Sequence, residues 1–213
     1  MNLLDYRSQT RTELSDLNVT TWDDDILDQA LRQGLADYND AHPDEAIATL
    51  TFASAVRELN VSSLARLIEI TRLWLPYTAA DPEHPPQWRT GFELWPGSIL
   101  YIGDDPKPAA NDVARIWYTR RTIIDGLDAA TSTTVAAEHE PLLVTGAAAY
   151  AASARSREIS EAINAENEAY RQTASFAFRK LNEFRAGLNR IRQKPAGGLV
   201  TLRPARRMRV PRQ

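Results

Sequence analysis

The chain contains no cysteine, which excludes disulfides and thiolate metal sites and leaves packing to hold it together. This fits a reducing compartment without demanding one. No run approaches the roughly 18 apolar residues of a membrane span, and the opening "MNLLDYRSQTRTEL" carries charges where a secretory leader needs an apolar core. A soluble chain is expected. Histidine is scarce: His42, His84 and His139 lie far apart, and no HExxH or HxH pairing occurs. No metal site and no cofactor are expected, and the "EHE" at 138–140 reads as solvated surface ahead of a helix. GxxxxGK, GxGxxG and GxSxG are missing too, so no phosphate cradle or nucleophile elbow of known spacing is present. An enzyme is not expected. Lysine is limited to Lys107, Lys180 and Lys194 against 22 arginines, a bias that GC-rich coding also produces.

What is present is an uneven charge distribution. Of 213 residues, 1–150 hold 11 basic against 23 acidic side chains, a balance of −12, and 151–213 hold 14 against 5, a balance of +9. An acidic body with a basic arm points the arm toward nucleic acid, an acidic protein surface, or the body of a neighbouring copy.

Periodicity divides the chain further. Leu3, Leu4, Tyr6, Leu14 and Leu17 mark a first amphipathic helix. Thr21 with Asp24 reads as a capping-box start, with Asp23, Asp24 and Asp25 in the first turn, of a helix from Trp22 to about Asn39. Its stripe is Leu27, Ala30, Leu31, Gly34, Leu35 and Tyr38, and Pro43 marks its end. From about residue 47 to 122 the texture changes to "AIATLTF", "VRELNV", "RLIEITRLWLP", "WRTGFELW", "SILYIG" and "VARIWYTRRTII", short β-like runs separated by Pro, Gly and Asp clusters. Alternation in 67–74 is imperfect and suits a strand with one face partly covered. Of the five tryptophans, Trp74, Trp88, Trp95 and Trp117 fall here and are expected to pack in core or interface rather than line a ligand groove.

Helix returns at "EHEPLLVTGAAAYAASARS", with Pro141 in its first turn. Gly146, Ala147, Ala148, Ala149, Ala151 and Ala152 remove bulk from its faces, so another helix can lie very close. From about Ser160 to Gln193 a single long helix is expected, with Tyr170, Ala174, Ala177, Leu181, Phe184, Leu188 and Ile191 as a seam of alternating four and three spacing. At about 50 Å it exceeds what a domain of this size buries, so its end is expected to reach another chain. The fold class is therefore α+β: a helical bundle (1–46 and 123–193) with an inserted antiparallel β-rich unit (47–122), and an extended basic tail at 194–213. In the tail Leu199, Val200, Leu202, Met208 and Val210 interleave with Arg203, Arg206, Arg207, Arg209 and Arg212, a pattern that mere solubility does not need and that suits docking as a strand or into a neighbour.

Two stretches carry a resemblance. "TRTELSDLNVTTWDDDILDQALRQGLADYNDAHP" resembles the opening helix pair of tailed-bacteriophage head-to-tail connector (adaptor) proteins, and "TIIDGLDAATSTTVAAEHEPLLVTGAAAYAASARS" is similar to a later stretch of related neck proteins. The resemblance implies a structural virion protein: a homo-oligomeric ring, commonly of twelve copies, beneath the portal of the DNA-filled head. Such a ring forms part of the channel through which double-stranded DNA passes without sequence specificity, and it meets a tail or stopper protein below. It implies assembly in the host cytoplasm, a place in the virion neck, and no membrane. On this reading Gly146, Ala147, Ala148, Tyr170, Ala177, Leu181, Phe184 and Leu188 pack the ring helices. Leu199, Leu202, Arg203, Arg206, Arg207, Met208, Arg209 and Arg212 dock into the portal or the adjacent subunit. The β-rich middle is longer than the loop of the smallest adaptors and closer to connectors that carry a β domain. The alternatives are a DNA-binding phage or prophage protein, which the basic third supports, and another neck or tail-completion protein.

Overall fold

The computed structural model describes residues 1–16, 21–79, 87–161 and 167–193. Helices α1 (Leu3–Glu13) and α2 (Asp24–Ala41) come first. Seven strands follow: β1 (Asp44–Thr51), β2 (Glu58–Asn60), β3 (Leu67–Trp74), β4 (Trp88–Arg89), β5 (Phe92–Trp95), β6 (Ile99–Ile102) and β7 (Val113–Arg120). Two 3-10 turns then lead to α3 (Glu140–Glu161) and α4 (Asn167–Gln193). The architecture is α+β.

The four helices share one apolar core, built on Tyr6, Leu27, Leu31, Tyr38, Leu143, Ala147, Ala151, Phe184 and Leu188. All but one of the residues expected on the inner stripe of α2 are buried, Leu35 being half-buried. Leu4 of α1, expected on the apolar side, faces solvent instead. The start of α2 also differs from expectation. Thr21 does not cap it; Asp23 occupies the N-cap with no side-chain hydrogen bond. Trp22 turns into the core, and its N–H donates to the Asp16 carboxylate at 3.1 Å, so the chain enters the helix two residues later. The first-turn acids have another use: Asp24 accepts from Arg7 at 2.6 Å and Arg11 at 2.5 Å, and Asp28 accepts from Arg7 at 2.7 Å, tying α1 to α2. The hydrogen bond from Arg11 holds the Asp24 carboxyl below the usual carboxylate range.

The strands form two antiparallel sheets rather than one: β1-β7-β3-β4 and β2-β6-β5. Both contribute to a second core, with Ile70, Leu73, Ala114, Ile116 and Tyr118 from the larger sheet and Leu59, Leu100 and Ile102 from the smaller. The broken alternation of 67–74 has a physical cause. Register shifts between Leu67 and Glu69 and between Ile70 and Arg72 place an extra residue in β3 each time, so Ile70 and Leu73, three apart, both point inward.

The two cores meet where α2 runs into β1. Asn39 Oδ1 accepts the Thr122 N–H at 2.6 Å just beyond β7, and Arg120 pairs with Asp44 at 2.7 Å across the β1–β7 ladder. Because Thr122 is 2% exposed, Asn39→Ala leaves a buried N–H without its partner. It is expected to cost about 1–3 kcal/mol of unfolding free energy by urea titration; a change inside about 0.3 kcal/mol would show that this joint carries no load.

Candidate functional site

Residues expected to pack against a neighbouring chain are found inside this one. α3 and α4 form an antiparallel hairpin in which the bare backbone at Gly146 receives the Phe184 ring; a Cβ there would stand 2.8 Å from Phe184 Cε2. A Cβ at Gly187 would collide with the Leu142 side chain, and one at Gly34 would lie 3.3 Å from Leu143 Cδ1. The small-residue helix is thus approached from both sides, by α2 and by α4, as its composition allows. Ala147, Ala148, Ala177, Phe184 and Leu188 are buried and Leu181 is half-buried. α3 fills this seam, because the chain folds back and presents the alanine surface to α4. The single helix expected over 160–193 is corrected, since Ser160 belongs to α3 and α4 begins at Asn167, giving about 40 Å rather than 50. Of the proposed packing residues only Tyr170 stays open to solvent, and Phe178 on the same helix is 69% exposed.

The docking residues Leu199, Leu202, Arg203, Arg206, Arg207, Met208, Arg209 and Arg212 lie outside the described residues. Two of the three histidines, separated by 97 positions, come together: the His42 and His139 rings are 5.0 Å apart, with Tyr38 edge-on to both. Tyr38 Oη and His139 Nδ1 share a 2.8 Å hydrogen bond, and burial pushes the Tyr38 hydroxyl up to about 12. His139 is therefore 8% exposed, not the solvated residue that "EHE" suggested. The apolar helix junction around it, invisible in a local window, makes the difference. Among the described residues no group of three or more His, Asp or Glu could hold a metal, and no helix is long and apolar enough to cross a membrane.

One side of the larger sheet supplies the core and the other is open. On the open side β7 places Thr119, Trp117 and Arg115 in line. β1 sets Glu45, Ile47 and Thr49 beside them, and β3 sets Glu69, Arg72 and Trp74. Trp88 of β4 pairs with Trp74 and packs on Trp117 at 5.2 Å between ring centroids. Trp74, Trp88 and Trp117 thus cover the outer face of the sheet, with Ile47 52% and Trp88 43% exposed. Two guanidinium groups lie on these rings: Arg72 over Trp88 at 5.9 Å, and Arg115 between Tyr77 at 5.0 Å and Trp117 at 5.3 Å. Arg115 Nη1 donates to the Tyr77 hydroxyl at 2.9 Å, while its buried Nε has no hydrogen-bond partner among the described residues.

No family model matches this chain, and no curated protein matches it.

A solvent-open cleft of about 720 Å³ between α2 and the larger sheet is lined by Arg32, Asn39, Arg66, Arg121 and Asp128 among others. One of its aspartates, Asp128, is already paired with Arg32 at 2.8 Å. The aromatic face combines what protein interfaces use most, tryptophan and arginine. Period-two reading finds which residues of β1 and β7 share that face, but not those of the bulged β3, nor that the face stays uncovered. The other sheet packs against the opposite side, and only the three-dimensional arrangement decides which.

Proposed function

We propose that this protein is a head-to-tail connector of a tailed bacteriophage, forming a ring beneath the portal that joins the DNA-filled head to the tail. The observation that carries the reading is a juxtaposition. The two stretches that resemble connector proteins, about 80 residues apart, pack into one unit: Thr122 N–H donates to Asn39 Oδ1 at 2.6 Å, Tyr38 Oη and His139 Nδ1 share a 2.8 Å hydrogen bond, Arg32 pairs with Asp128 at 2.8 Å, and α2 lies on α3 through Gly34. Gly126, with φ of 86°, makes the turn that brings the Asp-Gly-Leu-Asp segment over α1. An antiparallel β unit is carried between these stretches, as in the connectors that have one. The acidic body and the basic residues 194–213 supply opposite charge for contacts between copies or with the portal.

The partners on this reading are further copies of the chain, the portal, a tail or stopper protein, and duplex DNA passing without sequence recognition. The place of action is the virion neck, after assembly in the host cytoplasm. With the α3–α4 seam filled from within, contacts between copies in the ring fall to exposed residues, Phe178 and Tyr170 of α4 among them. Negative-stain electron microscopy of the purified protein, alone and with its phage's portal, is expected to show rings with a central hole wide enough for a duplex. Single copies under both conditions, binding duplex DNA with a steep salt dependence, would replace this reading with that of a DNA-binding protein.

A further inference from the structure

The larger sheet ends in β1, which is bonded on one side only. Phe52 N–H donates to Asp112 O at 2.9 Å, in register with the β1–β7 ladder. Leu50 with Ala114, Ala48 with Ile116 and Ala46 with Tyr118 follow at intervals of two, so these are the pairs that exchange backbone hydrogen bonds. The N–H and C=O groups of Glu45, Ile47 and Thr49 therefore point away from β7, and no hydrogen bond reaches them among the described residues. Eight residues without proline, lysine or bulge leave this edge unprotected. Its inward side is unfinished as well: Ala46, Ala48 and Leu50 pack on the second core yet stay half-buried. Donors and acceptors in such a row are the template for one more extended strand.

We infer that this strand is residues 199–203 of a second copy, running antiparallel to β1. With Arg203 opposite Glu45, Thr201 stands opposite Ile47 and Leu199 opposite Thr49, the three positions where β1 offers its backbone groups. Val200 and Leu202 then face inward beside Ala48 and Ala46, whose small side chains leave the rim of the core to be filled. Pro204 falls opposite Asp44, whose backbone groups are turned to β7, so its missing N–H is not needed. Charge fixes the direction. Glu45 is exposed and has no ion-pair partner among the described residues, and the remaining arginines continue toward Asp40, exposed in the last turn of α2. A parallel strand would carry Arg203 toward Thr51 instead, where Asp112 already accepts the Ala109 N–H at 2.7 Å. Direction in turn decides which copy supplies the strand. α4 ends near the foot of β1, with Asn189 and Arg192 lining a cleft with Asp40. A segment leaving there must travel out to Thr49, about 17 Å beyond Asp44, and then turn back. Residues 194–198 span at most about 17 Å fully extended, so the same copy does not reach and a neighbour does. Five residues make a small contact, so one pairing is weak and repetition strengthens it. Donor segment and acceptor edge differ, so the contact closes into a ring or runs on as a chain. It supplies the ring reading with a contact between copies but does not rest on it.

The chain has no cysteine of its own, so disulfide trapping in the full-length protein tests the register. Ala48→Cys with Val200→Cys places two thiols directly opposite each other on the inward side of neighbouring copies. Ala48→Cys with Leu199→Cys turns the second thiol to the other side of the added strand and is the control. Circular dichroism melts verify that each variant folds. Under mild oxidation the first variant is expected to give a ladder of covalent oligomers on a denaturing gel, at least about tenfold above the control, because only its thiols meet the distance a disulfide needs. Adding Glu45→Lys is expected to lower that yield, and Arg203→Glu on top of it to restore it. The inference is overturned by equal yields in the two variants, by closure within single copies only, or by a yield that Glu45→Lys leaves unchanged. Rings seen by microscopy without a ladder overturn the inference and leave the connector reading standing. A ladder without rings sustains the inference and counts against the connector reading alone.

Discussion

Phe184→Ala is expected to destabilise the protein by about 3–5 kcal/mol, the range for removing a fully buried aromatic side chain. Phe184 is 0% exposed, its ring lies against Gly146 and meets Tyr150 edge-on at 6.4 Å, and it is central to the α3–α4 hairpin. Such a loss is a large part of the roughly 5–15 kcal/mol that holds a domain folded, and urea titration measures it directly. The partner change sharpens the expectation. Gly146→Ala puts a methyl group where the ring now lies, 2.8 Å from Phe184 Cε2, and is expected to cost about 1–3 kcal/mol through overpacking. With Phe184 already truncated, the same methyl group enters vacated space, so the double variant is expected to be no less stable than Phe184→Ala alone. Additive losses would mean that the two residues do not share the contact, and would sink the hairpin packing described here.

The second large effect is on assembly. Removing residues 199–213 is expected to leave the melting temperature within about 1 °C, because both apolar cores are built, among the described residues, between Tyr6 and Ile191. On the connector reading, the same deletion abolishes joining to the head. The segment carries five arginines, Arg203, Arg206, Arg207, Arg209 and Arg212, interleaved with apolar residues. If only two of them form buried ion pairs in an acidic groove, at about 2 kcal/mol each, their loss weakens docking by about 1,000-fold. The readout is capture of purified portal by the full-length and truncated chains, followed by head-to-tail joining in a reconstitution. Retained joining would refute the docking role, and joining by the full-length chain that is lost as salt is raised, with capture of the portal intact, would shift the arginines toward DNA. Both arms use a truncated chain whose fold is checked by the same melt, so failure to join is not confused with failure to fold.

These expectations depend on features of different range, and the difference decides what could be read without a structure. The strand runs, the α2 stripe, the turn clusters and the small-residue character of α3 follow from side chains within a few residues of one another. Backbone sterics, period-two or 3.6 spacing and Pro or Gly placement act at that distance. Thr21 shows the limit even there: its capping pattern is locally complete, yet Trp22 entering the core and Asp16 reaching across the turn move the helix start. The bulges in β3 were legible only as an imperfect pattern, since a register shift is a property of two strands and not of one.

What alone determined the α+β composition, the acidic body and the basic terminus was the sequence of residue types. Which surface met which was decided in three dimensions. The seam of α4 has the spacing to serve a neighbour, and it serves α3 because the chain turns back within reach; His42 and His139, 97 positions apart, share one junction because α2 and α3 converge on it. The tryptophan and arginine face is open for the same reason, since the smaller sheet covers one side of β1, β3 and β7 and nothing among the described residues covers the other. Burial is won by whichever apolar surfaces come together most completely, and that comparison involves the whole fold at once.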